Sequence, residues 1–193
     1  MGWLEPNHFF IERREELREF LIQNTQEQGL WLVTNKKTSQ GGYVGYDEVV
    51  EELLCFGWID SKTGFYDEGR SKLWIAPRKP KSNWSAPNKA RVEKLMAAGL
   101  MTEAGMRLVE LAKAGGQWNA LDGVEALLVP DDLAAEFLLF PPAAENFDAF
   151  PRSVKRGILE WILTAKKPET RAARIRKTAE MAQRNERANQ WSK

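Results

Sequence analysis

The stretch WIDSKTGFYDEGRSKLWIA, residues 58–76, holds two short runs of strand-forming residues separated by a turn-forming segment. Trp58-Ile59-Asp60 and Leu73-Trp74-Ile75-Ala76 combine aromatic and branched side chains that fit a pleated, half-buried surface. The segment between them contains Gly64, Asp67, Glu68 and Gly69, and its glycines and aspartate favour a loop. The stretch therefore predicts an antiparallel pair of strands, in which Trp58 and Trp74 would meet.

Further elements are predicted on both sides of this strand pair. The apolar residues of Phe9–Gln26 recur partly at helical spacing, which predicts an amphipathic helix, and the run Leu30–Thr34 predicts a buried strand. A second helix is predicted over Tyr46–Phe56, since Gly57 ends its apolar stripe. Ser85 is a suitable N-cap for a helix that runs to about residue 98.

The order of these elements predicts an α+β fold, a small antiparallel sheet packed with helices and followed by a mostly helical C-terminal half. A chain of 193 residues can form one well-packed core. We therefore expect a single globular unit over residues 1–193, or a finer division into an α+β part over 1–116 and a helical part over 117–193.

Charge alternates along the chain although the net charge is only +1. Residues 1–69 carry 6 basic and 13 acidic side chains, and residues 70–94 carry 8 and 1. Residues 95–151 then carry 2 basic and 9 acidic side chains, and residues 152–193 carry 12 and 4. Two interpretations follow, namely mutual neutralisation within the fold or a basic face for an anionic partner.

Few residues are suited to metal binding or covalent chemistry. Cys55 is the only cysteine, which excludes an intramolecular disulfide, and its apolar neighbours favour a core residue over a reactive thiol. His8 is the only histidine, so no histidine-rich metal site is predicted. The loop at 41–45 contains three glycines but lacks the Lys-Ser/Thr ending of a phosphate-binding loop. We predict no catalytic residue, no metal and no cofactor.

The densest mixture of aromatic and hydrogen-bonding side chains follows Cys55. Pro77 and Pro80 end the second predicted strand and place the next residues in an extended connection near the surface. Seven residues of this aromatic-basic block are candidates for ligand binding: Trp58, Asp60, Arg78, Lys79, Ser82, Trp84 and Asn88. The alternative is that the tryptophans fill the core while the polar residues cap helices or cover it.

Nucleic acid is the alternative partner. Basic groups beside aromatic rings can contact phosphates and bases, and the regions 70–94 and 152–193 would supply the charge. The nearly neutral net charge and the lack of a recognised nucleic-acid motif argue against it. No apolar stretch is long enough to span a bilayer, and no secretion signal is evident, so we expect a cytoplasmic location.

The sequence resembles a known family over most of its length from Tyr46 onward. The resemblance rests on five blocks: Leu54–Asp60 (LCFGWID), Pro77–Ser85 (PRKPKSNWS) with Asn88, Gly99–Gly105 (GLMTEAG), Val129–Leu133 (VPDDL), and Ala165–Arg171 (AKKPETR) with Arg174 and Ile175. These blocks are similar to the YdeI/OmpD-associated family, also labelled bacteriocin-protection proteins.

This resemblance implies a bacterial protein with a role in tolerance of bacteriocins or of envelope stress. It implies no settled reaction, cofactor or catalytic residue. Together with the aromatic-basic block, it leads to the hypothesis of a non-enzymatic binding protein for a small anionic or aromatic ligand, or for a protein partner.

Overall fold

The computed structural model describes residues 1–24 and 28–189, and the chain divides into two compact units, Met1–Ala120 and Leu121–Lys193. The last two residues of the predicted helix Phe9–Gln26, and the end of the predicted part 117–193, lie outside the described residues. The fold is α+β, as predicted.

The first unit contains a sheet and four helices within its described residues. Its strands are β1 (Gly2–Glu5), β2 (His8–Ile11), β3 (Leu30–Asn35), β4 (Trp58–Phe65) and β5 (Arg70–Pro77). Its helices are α1 (Arg14–Gln23), α2 (Tyr46–Cys55), α3 (Ala86–Ala97) and α4 (Glu103–Ala114). The predicted helix at Phe9 is wrong for its first turn, because residues 8–11 form β2.

The five strands lie in the order β1-β2-β3-β5-β4. The predicted antiparallel pairing of β4 with β5 is confirmed, with Trp58 opposite Pro77 and Asp60 opposite Ile75. The sheet as a whole is mixed rather than purely antiparallel, because β2 and β3 run parallel. A parallel pair needs a crossover connection, and α1 lies in the connection between β2 and β3.

The two faces of the sheet carry different side chains because successive residues of a strand point to opposite sides. Ile75 and Trp58 lie on the face that α1 and α2 cover, and they share its hydrophobic core. Trp74 points to the other face, where its ring and that of Trp31 make a T-shaped contact with their centroids 5.3 Å apart. The expected contact between Trp58 and Trp74 therefore does not form.

The turn from α2 into β4 brings backbone segments unusually close. Gly57 has φ +74°, and a side chain there would also meet Leu108 of α4 at 2.8 Å. Both the backbone N–H and the hydroxyl of Thr102 donate to the Cys55 carbonyl, at 3.1 and 2.6 Å. A Cβ atom on Gly105 would lie 2.3 Å from that carbonyl oxygen, so the approach of α4 to the end of α2 requires glycine.

The second unit is helical over its described residues. Its helices are α5 (Asp122–Glu125), α6 (Asp131–Leu138), α7 (Ala143–Ala149), α8 (Arg152–Leu163) and α9 (Pro168–Gln183). Leu133, Phe147 and Ile158 belong to one buried cluster, which also includes Ile175 of α9. This unit therefore has a hydrophobic core of its own.

The glycine at the α2–α4 contact gives a stability prediction. Gly105→Ala should lower the free energy of unfolding by about 2 kcal/mol, because overpacking against the Cys55 carbonyl outweighs the gain in helix propensity. Urea denaturation followed by far-ultraviolet circular dichroism measures the change. Gly157→Ala is the matched control, since that helical position is open, and it should gain about 0.5–1 kcal/mol. A Gly105→Ala protein as stable as the wild type would contradict this account.

Candidate functional site

The end of β5 places Arg78 in the interior of the first unit. The backbone N–H of Arg78 donates to the Gly57 carbonyl at 2.9 Å, next to the pair formed by Pro77 and Trp58. Only 6% of Arg78 is exposed, and Trp84 is 2% exposed. The expectation that this connection lies near the surface is therefore wrong for these two side chains.

The Arg78 guanidinium is only partly satisfied in its buried position. It stacks on the Trp84 ring, with Cζ 3.8 Å from the ring centroid, and Nη2 donates to the Asn83 carbonyl at 2.5 Å. Nε and Nη1 have no hydrogen-bond partner among the described residues. Burial lowers the pKa of Arg78 to about 10, and the charge of Asp60 acts in the opposite direction. The fold thus keeps a cation where water does not compensate its charge.

Arg78 lies in the wall of a cavity of about 730 Å³. The other lining residues are mostly apolar and come from four parts of the unit: Leu21, Ile22 and Asn24 in and after α1; Phe56, Gly57 and Trp58 at the α2–β4 turn; Pro77, Lys79 and Pro80 at the end of β5; and Ala104 and Leu108 in α4. A volume in this range suits a small organic ligand.

Three of the seven candidate residues meet at this cavity, which we call the Arg78 cavity: Trp58, Arg78 and Lys79. Trp84 lies behind the guanidinium and packs against Trp118, with ring centroids 5.1 Å apart. The other candidates do not line it.

The remaining candidates have partners elsewhere. Asp60 accepts a hydrogen bond from the Tyr46 hydroxyl at 2.8 Å. The backbone N–H of Ser82 donates to the Lys79 carbonyl, and Asn88 accepts from Arg91. Ser82 and Asn88 therefore shape the connection and the first turn of α3.

Sequence reasoning missed the far wall of the cavity. Leu21 and Ile22 belong to α1, and Ala104 and Leu108 belong to α4, so the cavity joins positions more than eighty residues apart. Their apolar spacing predicts helices but does not show that these residues line a cavity. The close approach at Gly57 and Gly105, which brings these helices to Arg78, has no periodic signal in the sequence.

Cys55 is buried among apolar residues, in a cluster with Val50 and Leu54. Burial raises the pKa of its thiol, which keeps it protonated. The interpretation of Cys55 as a core residue fits this environment. In the described part of the chain, no group of three or more His, Cys, Asp and Glu side chains is placed to hold a metal ion.

Part of the alternating charge pairs within each unit. Three cations of region 70–94 bind acids of region 1–69: Arg70 with Asp67, Arg91 with Asp47 and Lys94 with Glu51. Four cations of region 152–193 bind acids of region 95–151: Lys155 with Asp148, Arg156 with Glu125, Arg171 with Asp132 and Arg176 with Glu136. These pairs match the neutralisation interpretation and do not support the nucleic-acid alternative.

Within the residues that the structure describes, the helices are too short or too polar to cross a bilayer.

Two family models match the chain. A domain of unknown function (DUF8412) matches residues 9–108, which include strands β3, β4 and β5 and the residues that line the Arg78 cavity. The family described as bacteriocin-protection, YdeI or OmpD-associated matches residues 126–185, and so includes the blocks at Val129–Leu133 and Ala165–Arg171. No curated protein and no solved structure matches the chain.

The bond between Tyr46 and Asp60 gives a titration prediction. Burial and the hydrogen bond to Asp60 raise the pKa of Tyr46 to about 12. Asp60→Asn should lower this pKa, because it removes the negative charge that opposes the phenolate, while burial keeps the value above that of a free tyrosine. Phenolate absorbance, corrected by subtraction of a Tyr46→Phe protein, measures it.

The control for this titration is Glu93→Gln, which neutralises an exposed acid of α3. It should leave the Tyr46 titration unchanged. An unchanged titration in Asp60→Asn itself would show that the hydrogen bond does not set the pKa of Tyr46.

Proposed function

We propose that this chain, which belongs to the family of the domain of unknown function DUF8412, is a binding protein that holds the carboxylate of a small apolar ligand at Arg78. The observation that carries the proposal is the buried guanidinium with two unpartnered nitrogens in the wall of the Arg78 cavity. Of the partners that the sequence analysis left open, a small anionic ligand, a small aromatic ligand or a protein, this proposal takes the small anionic ligand.

A buried cation without a counter-charge destabilises a fold. A buried charged donor that makes no hydrogen bond costs more free energy than the loss of a neutral hydrogen bond. Such groups in native proteins normally have a partner. The planar guanidinium presents its donors along two edges, Nε with Nη2 and Nη1 with Nη2, and the two oxygens of a carboxylate can bond to either edge. An anionic ligand would therefore satisfy the donors that the protein leaves open.

The walls of the cavity favour an apolar body on that ligand. Leu21, Leu108 and Phe56 offer hydrocarbon surface, and Trp58 adds an indole ring. Lys79 is exposed at the rim, where its charge would attract an anion before it enters. Because Nε and Nη1 are closed to solvent, binding requires side chains around the guanidinium to move.

Binding rather than catalysis is proposed because Arg78 remains protonated at neutral pH even with its lowered pKa. A general acid or base needs a pKa near the working pH. Arginine instead offers fixed donors, which suit recognition of a planar anion.

The C-terminal match supplies the biological setting of the proposal. We propose that this binding serves protection against bacteriocins, the role for which the family that matches residues 126–185 is named. A cytoplasmic location is part of the same proposal, since the buried, protonated thiol of Cys55 suits a reducing compartment.

Arg78→Met tests whether the guanidinium is there for the fold or for a ligand. Without ligand, the free energy of unfolding should stay unchanged or rise by up to about 2 kcal/mol, because methionine fills similar space without a buried charge. Urea denaturation monitored by tryptophan fluorescence measures the change. A loss of more than about 2 kcal/mol would assign Arg78 to the core alone.

Ligand binding is tested with matched acids and amides, namely benzoate with benzamide, indole-3-acetate with its amide, and octanoate with octanamide. At least one acid should alter the fluorescence of Trp58 and Trp84 and bind about tenfold or more tightly than its amide, as expected for a charge-assisted hydrogen bond. Arg78→Met should abolish this preference for the acid.

Arg107→Met is the control for the binding experiment, because it removes an exposed arginine of α4 from the same unit. The preference for the acid should persist in this variant. Equal binding of acid and amide by the wild-type protein, or the same preference in Arg78→Met, would overturn the proposed function.

A further inference from the structure

A second cavity, of about 340 Å³, lies at the other end of the sheet face that α2 covers. We call it the Tyr46 cavity. Its lining comes from β3 (Leu32, Thr34 and Asn35), the following loop (Lys36, Lys37, Tyr43 and Val44), α2 (Tyr46 and Val49), and the strands β4 and β5 (Thr63, Ser71, Lys72 and Leu73). It shares no lining residue with the Arg78 cavity.

Three hydroxyl groups line the sheet side of the Tyr46 cavity. Thr34 of β3 lies opposite Ser71 of β5, and Thr63 of β4 lies opposite Leu73 of β5. None of the three hydroxyls has a hydrogen-bond partner within the described residues, although many protein hydroxyls bond to nearby backbone. They are therefore available both to donate to a polar ligand and to accept from it.

The charged side chains that line the cavity are all lysines: Lys36, Lys37 and Lys72. Lys36 donates to the carbonyls of Asp67 and Glu68, and Lys72 lies over the Trp31 ring. Lys37 is exposed. Because no acidic side chain lines the cavity, its charge favours an anion.

Tyrosine rings complete the lining. Tyr43 is 50% exposed and Tyr46 is 53% exposed, so their ring faces are open to a ligand although large aromatic side chains are more often buried. The bond to Asp60 fixes the Tyr46 hydroxyl.

The loop that closes the cavity is held in place. Asn35 is 6% exposed, and its side-chain amide donates to the Gly42 carbonyl at 2.9 Å and to Glu12 Oε1 at 3.2 Å. A buried amide with two acceptors anchors the loop to the sheet, so the cavity is formed before a ligand arrives.

We propose that the Tyr46 cavity binds the phosphate monoester of a small polyhydroxylated molecule, of the size of a pentose or hexose phosphate. Lys37 and Lys36 would take the phosphate, and Thr34, Ser71 and Thr63 would exchange hydrogen bonds with the hydroxyl groups of the ligand. Tyr43 and Tyr46 would cover its carbon skeleton. This chemistry differs from that of the Arg78 cavity, whose walls are mostly apolar.

Isothermal titration calorimetry with ribose 5-phosphate and glucose 6-phosphate tests the proposal, with ribose, glucose and inorganic phosphate as comparison ligands. At least one sugar phosphate should bind at least tenfold more tightly than both its neutral sugar and inorganic phosphate, because only the ester engages lysines and hydroxyls together. Thr34→Val and Ser71→Ala should each weaken binding about three- to tenfold, and Lys37→Met about tenfold or more.

Lys81→Met is the matched control, since Lys81 is an exposed lysine outside the cavity, and it should leave the affinity unchanged. Arg78→Met should also leave it unchanged, so this proposal and the proposed function can fail separately. The inference is overturned if no sugar phosphate binds, if inorganic phosphate binds as tightly as the esters, or if neither Thr34→Val nor Lys37→Met weakens binding.

Discussion

The hydrogen bond from the Arg78 backbone N–H to the Gly57 carbonyl ties the end of β5 to the turn between α2 and β4. Gly57 can make this turn because it tolerates a positive φ and leaves room for Leu108. The neighbouring carbonyl of Cys55 holds Thr102 at the start of α4. One short turn therefore fixes a sheet edge and two helices relative to each other, and the Arg78 cavity is the space that they enclose.

Asp60 links the two cavities of the first unit. Its carboxylate accepts a hydrogen bond from the Tyr46 hydroxyl. Its negative charge also raises the pKa of Arg78, which partly offsets the lowering of that pKa by burial. An anion at Arg78 would take over that compensating role. Asp60, which the sequence analysis gave as a candidate ligand contact, lines neither cavity and contacts a lining residue of one of them, Tyr46.

The sequence predicted local features better than contacts between distant segments. The strands around Trp58 and Trp74 and the helix ended by Gly57 were recognisable from short patterns. Strand β2 was missed because Phe9 and Phe10 also fit the apolar spacing of α1. Its four residues are stabilised by the parallel strand β3, whose paired residues lie 23 positions further along the chain. The burial of Arg78 was missed for a similar reason, since its charge predicts exposure and only the tertiary fold places it on Trp84.

The pairing of the alternating charges weakens the long-range attraction of the protein for an anionic ligand. Surface pairs such as Arg91 with Asp47 contribute little to stability, but they reduce the field that would attract a polyanion over a long distance. Recognition then depends on short-range contacts inside cavities, where a donor is already desolvated. At Arg78 the cation is already largely dehydrated in the folded protein. The same hydrogen bonds would therefore contribute more binding free energy to a carboxylate there than at the surface. If Arg78 binds a carboxylate as proposed, selectivity for the ligand would therefore follow from the shape of the cavity more than from the net charge of the protein.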